Sequence, residues 1–440
     1  MRYAVLVSAF FLAACSISIQ SRAGDPLPAS ENAILTFEEI DVEGSLMFLT
    51  GFRFLPPKGG GSEFLAILQD GTVLHYRLEG NRAKKLGGFS LPVHHKHDCG
   101  LLSIAVDPDF ENNQYVYFAH CVSPQFTAVT RITFDPGNYA AIPASAREII
   151  SFGTPEAVYS LHAVGSIGFD PDGTLWIFTG EKDVSSAVQG AAQNLGALLR
   201  VMPNRDPNAG GYLPAEGNPF EEGSGKSPVT YAYGFRMPWR GIRDSKGWYV
   251  VGDVGANIFE ELNVVTAPGQ NFGWPLHEGP CRGNCTGFTQ PILSWGHHLK
   301  EAFRKEDPFG AFTEHRTGWV GVEYHDPPVD RYHGQLTDKI LYGDFCAGWI
   351  RALRFDGNGT LNANDHVAHM EMTVDWTVGP DGYIYTGTYP LSITDHGVCP
   401  RLPPGTEEDH IPAHSHIIHT VRGYETEGGS SIWRVVLKDR

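Results

Sequence analysis

Gly165-Ser166-Ile167-Gly168-Phe169, Asp170-Pro171-Asp172-Gly173 and Thr174-Leu175-Trp176-Ile177-Phe178-Thr179 follow one another without a gap. An apolar run, a turn signal and a second run rich in aromatic and β-branched residues are the signature of a β-hairpin. The same pattern recurs along the chain. Phe64–Leu68 leads through Gln69-Asp70-Gly71 to Thr72–Leu78, and Leu102–Val106 leads through Asp107-Pro108-Asp109 to Tyr115–His120. Gly241–Arg243 leads through Asp244-Ser245-Lys246-Gly247 to Trp248–Gly252, and Trp376–Val378 leads through Gly379-Pro380-Asp381-Gly382 to Tyr383–Gly387. A hairpin repeated every roughly 40 to 75 residues predicts the blades of a β-propeller, with loops of unequal length between strands. Helical candidates such as Ser185–Val201 are few and short. No low-complexity linker interrupts the chain after residue 31, so residues 31–440 read as a single all-β domain.

Composition agrees with this reading and excludes others. The 440 residues include 51 glycines and 30 prolines, a turn-rich balance, yet 42% are hydrophobic and only 19% charged, which is ample for a large core. Disorder and coiled coil are excluded as the main state. With 33 basic and 50 acidic residues the formal charge is -17, a surface that repels phosphate backbones, so nucleic acid is excluded as an expected partner.

The N-terminus predicts export. Met1-Arg2 precedes an apolar run from Tyr3 to Ala14, too short for a spanning helix of about 20 residues. Leu12-Ala13-Ala14-Cys15 resembles a bacterial lipobox, which would put a lipid anchor on Cys15 and make a periplasmic or outer-membrane lipoprotein; cleavage near Ala23 would instead release a secreted protein. Without Cys15 the cysteines number six: Cys99, Cys121, Cys281, Cys285, Cys346 and Cys399. An even count in an exported chain favours disulfides, although six cysteines allow 15 pairings. Cys281 and Cys285 are close enough to staple one loop, Cys99 and Cys121 flank one hairpin, and Cys346 and Cys399 remain. The competing reading of Cys281-x-x-x-Cys285 as half a zinc site lacks a second close cysteine pair.

Several strings carry a resemblance. Gly100-Leu101-Leu102-Ser103-Ile104-Ala105-Val106-Asp107-Pro108-Asp109-Phe110, His162-Ala163-Val164-Gly165 and Leu195-Gly196-Ala197-Leu198-Leu199-Arg200-Val201 are similar to motifs of the soluble pyrroloquinoline quinone (PQQ)-dependent sugar dehydrogenases, the glucose/sorbosone dehydrogenase family. So are Tyr231-Ala232-Tyr233-Gly234-Phe235-Arg236-Met237-Pro238-Trp239, Gly252-Asp253-Val254-Gly255, Glu260-Glu261-Leu262-Asn263 and Asn271-Phe272-Gly273-Trp274-Pro275. Tyr342-Gly343-Asp344-Phe345-Cys346-Ala347-Gly348 resembles the cysteine-bearing branch that includes hedgehog-interacting-like proteins. The resemblance implies a six-bladed propeller, calcium, the quinone cofactor and oxidation of an aldose at its anomeric carbon.

It also implies roles. His162 would be the base that takes the proton of the C1 hydroxyl, a task suited to a side chain that titrates near neutrality. Arg236 would face the quinone and stabilise charge on its oxygens. Gly255 and Ala256 would offer main-chain carbonyls to a calcium that anchors and polarises the cofactor, and Glu260 and Glu261 would serve a second, structural calcium. Asp98 stands where the family has Gln beside the cofactor.

The departures are equally specific. Met237 replaces an Asn, and Leu161 replaces the acidic residue expected just before His162 to orient its ring. Met372 and Val374 replace two arginines that would pair with the quinone's carboxylates. Arg331, Lys300 or Arg351 could supply the missing charge. Histidine-rich stretches, His94-His95-Lys96-His97-Asp98, His297-His298 and His410 to His419, could ligate a transition metal or be merely polar loops. Phosphate-binding glycine loops, zincin helices and nucleophile elbows are absent from the sequence. Two other functions fit the same scaffold: a non-catalytic sugar- or protein-binding propeller, and a metal-dependent lactonase.

Overall fold

The hairpin of Gly165–Thr179 forms as read: Phe169 pairs with Leu175, Gly168 with Trp176 and Ile167 with Ile177, and Gly173 closes the turn at φ +87° with its amide on the Asp170 carbonyl. It is the inner half of one blade in a six-bladed β-propeller. The computed structural model describes residues 33–56, 62–296, 317–356, 359–389 and 429–438.

Each blade has four antiparallel strands built outward from the axis, and blade one adds Asp41–Val42 in parallel at its outer edge. The inner strands are Leu49–Phe54, Leu101–Val106, Val164–Phe169, Pro238–Arg243, Gly318–Tyr324 and Thr373–Val378, and each packs against the next until the sixth meets the first. Blade six takes Leu35–Glu39 as its outermost strand, paired from Leu35↔Leu437 to Glu39↔Trp433. The N-terminal end of the described chain thus closes the ring with its C-terminal end.

Most residues of the inner strands are buried on both faces of the sheet, polar ones such as Thr50, Ser166 and Asp375 included. Between every pair of neighbouring blades lies one apolar cluster. Leu102, Tyr117 and Val129 of blade two meet Ile167, Ile177 and Leu199 of blade three, and Trp319 of blade five stacks on Trp376 of blade six at 5.0 Å. Full burial of each such side chain contributes about 1.5–3 kcal/mol.

A buried arginine is built into the ring. Arg240, on the inner strand of blade four, donates to the carbonyls of Val374 (2.7 Å), Thr50 (2.7 Å) and Leu102 (3.1 Å), on blades six, one and two. Its guanidinium also lies 4.0 Å over the ring of Trp239. The acceptors are the second residues of their inner strands, so the starting ends of those strands meet at one end of the axis. His162, two residues ahead of an inner strand, lies at that end.

One element departs from expectation. Ser185–Val201 is not a helix: Ser185–Gly190 is a single 3-10 segment, and Ala197–Pro203 is a strand paired with Leu175–Thr179. Ala191 and Asn194 adopt positive φ and Gly196 follows at +57°, which ends helical winding before strand pairing takes over. Cys99–Cys121 and Cys281–Cys285 are disulfides, so the latter pair is a loop staple and not half a zinc site. Cys399, the expected partner of Cys346, lies outside the described residues, as do Cys15, Lys300, His297-His298 and the histidines from His410 to His419.

Candidate active site

The hairpin of blade three extends past its regular strands to build the first half of the site. Gly180 donates to the Ala163 carbonyl and Lys182 to the His162 carbonyl, which brings Glu181 beside His162. Gly180 is required there, since a Cβ would lie 2.1 Å from the His162 carbonyl oxygen. His162, Lys182 and Asp183 all hold positive φ (+42°, +57° and +60°), backbone strain of the kind that collects at functional sites.

The imidazole is held at both nitrogens. Nδ1 lies 2.8 Å from Glu181 Oε1 and Nε2 lies 3.1 Å from Arg236 Nη2. Arginine only donates, so Nε2 is the acceptor and the proton resides on Nδ1, directed at the glutamate. Glu181 is buried and also accepts from Trp274 Nε1 at 3.3 Å. Burial alone would raise its pKa, but the bond and charge of His162, together with Arg236 and Trp274, hold it below the ordinary glutamate value. Its oxygens thus stay anionic beside the ring.

Arg236 joins this half to a second one from blade four. Asp253 receives the backbone amides of Arg236 (3.1 Å) and Met237 (2.7 Å), which fixes the segment. The guanidinium then reaches the carbonyls of Gly255 (2.6 Å) and Val254 (3.1 Å) while touching His162 and lying 5.8 Å from the Trp274 ring. Sequence-predicted His162, Arg236 and Gly255 therefore form one connected array, and Asp98 joins it by accepting the His162 backbone amide at 3.2 Å.

Glu260 and Glu261 serve different partners. Neighbours on the strand Phe259–Val265, they point to opposite faces. Glu260 accepts from the amides of Gly255 (3.2 Å) and Gly318 (2.7 Å); Glu261 accepts from Gly279 (2.5 Å) and Asn263 (2.8 Å). Burial pushes Glu260, Glu261 and Asp253 well above the usual carboxylate range, with charge among neighbouring acids adding to each. Ala256 donates its amide to Glu278.

The candidate replacement cations fall elsewhere. Arg331 donates to the Asp381 carbonyl and stacks on Tyr383 at the turn that ends the inner strand of blade six, the end opposite His162. Arg351 bonds Asn364 inside blade five. Met372 and Val374 are buried in the core between blades five and six, and Met237 is buried as well. What comes near Val374 instead is Arg240, through the carbonyl. Among the described residues it meets no carboxylate directly: Asp375, which favours its charge at longer range, is paired with Arg53. Burial lowers the Arg240 pKa to about 10, so it remains a cation at neutral pH.

Two functional candidates escape motif reading. Glu181 does the orienting work expected of residue 161: counting outward from the Asp170–Gly173 turn sets residue 182 opposite 162, and the register shift between Val164 and Ile167 moves Glu181 into that place, so the sequence carries only an approximate signal. Lys182 is fully buried with its Nζ 3.9 Å from Cys99 Sγ of the Cys99–Cys121 disulfide. Burial lowers its pKa to about 8, against the favourable charge of Asp98. His162, Glu181 and Asp183 also place one potential ligand atom each within 4.8 Å of one another. His94 of the first histidine stretch bonds Ser160 Oγ at 2.8 Å, a structural contact next to the His162 loop.

The family model for glucose/sorbosone dehydrogenases matches residues 50–389. The chain belongs to that family. Among relatives of this family member, the HIPL2 protein of Arabidopsis thaliana is 35% identical over 177 residues, covering 34% of this chain and 25% of that protein. HIPL1 of the same plant is 32% identical over 155 residues, covering 32% and 22%. The chain thus spans about a quarter of the length of these curated relatives. Among solved structures, the PQQ-bound aldose sugar dehydrogenase of Streptomyces coelicolor superposes with a TM-score of 0.64 at 19% identity, covering 92% of this chain and 99% of that one. The soluble aldose sugar dehydrogenase of Escherichia coli gives 0.63 at 17%, covering 92% and 100%. At such identities the likeness is one of fold, and this family member shares the propeller with both.

Proposed function

We propose that the protein is an exported quinoprotein dehydrogenase that oxidises an aldose at its anomeric carbon. The observation that carries the proposal is the array Glu181–His162–Arg236, in which an imidazole with its proton fixed on Nδ1 offers Nε2 as a base next to a guanidinium. A sugar hydroxyl that displaces Arg236 Nη2 from Nε2 would donate its proton there, and Glu181 would stabilise the resulting imidazolium. Arg236, relieved of that contact, would face negative charge developing on the acceptor side.

The residues suit calcium and the quinone in distinct ways. The carbonyls of Val254 and Gly255 already attract a cation, the Arg236 guanidinium, so with Ala256 they suit a hard ion such as calcium. For PQQ, Arg236 would be the direct contact, Asp98 would line the same pocket edge, and Arg240 would supply through the axis the positive charge that Met372 and Val374 do not. When bound, the quinone supplies a two-electron acceptor for hydride and the calcium a Lewis acid. Arg331, at the opposite end, takes no part in this reading.

Export fits the proposal: two disulfides belong to an oxidising compartment, and mass spectrometry of the mature N-terminus will show whether Cys15 bears lipid. For activity the test is reconstitution. Protein loaded with PQQ and calcium should reduce a dye acceptor in the presence of an aldose, and His162→Ala should abolish the rate. Failure of a panel of aldoses, or an unaffected variant, overturns the proposal. Quinone that does not bind at all would favour a binding propeller instead.

One observation favours a second reading, a metal-dependent hydrolase of the lactonase type: the grouping of His162, Glu181 and Asp183. A transition metal on Nδ1 would take the place of the proton now shared with Glu181. Metal analysis after purification, combined with a lactone hydrolysis assay, separates the two, since calcium alone argues against a histidine-ligated metal.

A further inference from the structure

Five consecutive amides in the loop after the second strand of blade four are held by two carboxylates. Gly255 donates to Glu260 Oε1 at 3.2 Å, while Ala256, Asn257 and Ile258 each donate to Glu278 Oε1 at 2.8 Å and Phe259 does so at 3.2 Å. Convergence of successive amides on one anion is the geometry of a backbone nest, here filled by a side chain of the same protein. The consequence follows from peptide geometry. In a trans peptide the carbonyl points opposite to the amide it is bonded to, so amides that turn toward Glu278 turn the Gly255 and Ala256 carbonyls away from it. Gly255 O confirms the direction by accepting Arg236 Nη1. The curl is tight enough that a Cβ on Gly255 would meet Phe259 O at 1.8 Å and Glu278 Oε1 at 2.8 Å.

We infer that Glu278 is the positioning residue of the cation site: by holding the amides of residues 256–259 its carboxylate curls the loop so that the Gly255 and Ala256 carbonyls face a divalent ion on the Arg236 side. This rests on the calcium reading above and adds to it the group that shapes the loop. Glu278 touches the amide side, away from the ion, and acts through the peptide planes. Its charge also offsets, at longer range, the positive charge brought by the ion and Arg236.

Titration calorimetry of calcium chloride into chelator-treated full-length protein tests this, alongside hydrogen exchange of the amides 256–259. In Glu278→Ala the four amides should exchange at least 100-fold faster and calcium affinity should fall at least tenfold, while the remaining blades keep their protection. Glu278→Gln keeps an oxygen acceptor of the same shape, so it should retain protection and stay within about fivefold of the parent affinity. Calcium affinity in Glu278→Ala within twofold of the parent overturns the inference, as does a Gln variant as weak as Ala, which would mean that charge and not loop shape matters. A parent protein that binds no calcium overturns the calcium reading itself and the inference with it.

Discussion

Replacing Glu181 by Gln probes the proposed base most directly, because the change is isosteric and the surroundings fix what an amide can do there. Glu181 now accepts two donors, His162 Nδ1–H at 2.8 Å and Trp274 Nε1–H at 3.3 Å. A carboxamide has one accepting oxygen. If that oxygen serves His162, the NH2 group opposes the indole N–H; if it serves Trp274, the NH2 faces Nδ1, which must then become an acceptor and push the proton to Nε2. There the proton meets Arg236 Nη2, another donor. Either arrangement sacrifices a buried charge-assisted hydrogen bond, worth about 1.5–3 kcal/mol, and removes the anion that stabilises the imidazolium. At about 1.36 kcal/mol per decade, kcat/KM for aldose oxidation by reconstituted enzyme should drop by roughly 10- to 150-fold. Dye-linked kinetics give the rate, and 15N spectra of His162 report which ring nitrogen carries the proton, a signature that simple loss of stability would not change. A variant within twofold of the parent rate, with Nδ1 still protonated, would refute the reasoning.

Other outcomes follow from the same structure. Arg240→Met removes three hydrogen bonds that join four blades and leaves buried carbonyls without a donor, offset in part by relief of a buried charge; unfolding in guanidinium should show a loss of about 3 kcal/mol. Gly255→Ala forces the loop open against Phe259 O and should cost about 1–3 kcal/mol in the same assay, together with calcium affinity. Lys182 has a folded pKa near 8, below its unfolded value, so the unfolded chain binds the extra proton between about pH 8 and 10; stability should rise with pH in that window, and Lys182→Met should flatten the rise in urea midpoints.

The propeller was legible because its signal is local and repeated. Four of the five hairpins picked from turn residues are the inner halves of blades two, three, four and six, and the fifth, Phe64–Leu78, is the middle of blade one. Blade five was missed for a physical reason: its inner strands Gly318–Tyr324 and Lys339–Asp344 are joined through residues 325–338 rather than a tight turn, so no short-range signal marks them. The site divides along the same line. His162, Arg236 and Gly255 stand in recognisable strings, whereas Glu181, Glu278 and Arg240 act across register, across a loop and across the axis. The residue just before His162, Leu161, is buried and apolar, and the ring is oriented instead by Glu181 from across the hairpin.

Charge ties these pieces together. To bind an anionic cofactor, as proposed, a chain of net charge -17 would have to concentrate positive potential locally, and low dielectric makes a few buried cations count for more than many exposed ones. Arg240 is such a cation: 4% exposed, neutralised by carbonyl dipoles instead of a carboxylate, and placed where the inner strands begin. Arg236 stands nearer the imidazole, but on its far side lie Asp253, Glu260 and Glu261, all buried and all driven toward their neutral forms by that burial. Burial disfavours the ionised form of all three; a divalent ion on the Gly255 carbonyls would favour it, and Arg236 would then leave the carbonyls it now occupies. Cation binding and anion binding would then favour each other through Arg236, because a guanidinium displaced from Gly255 and Val254 has its donors left for an anionic partner.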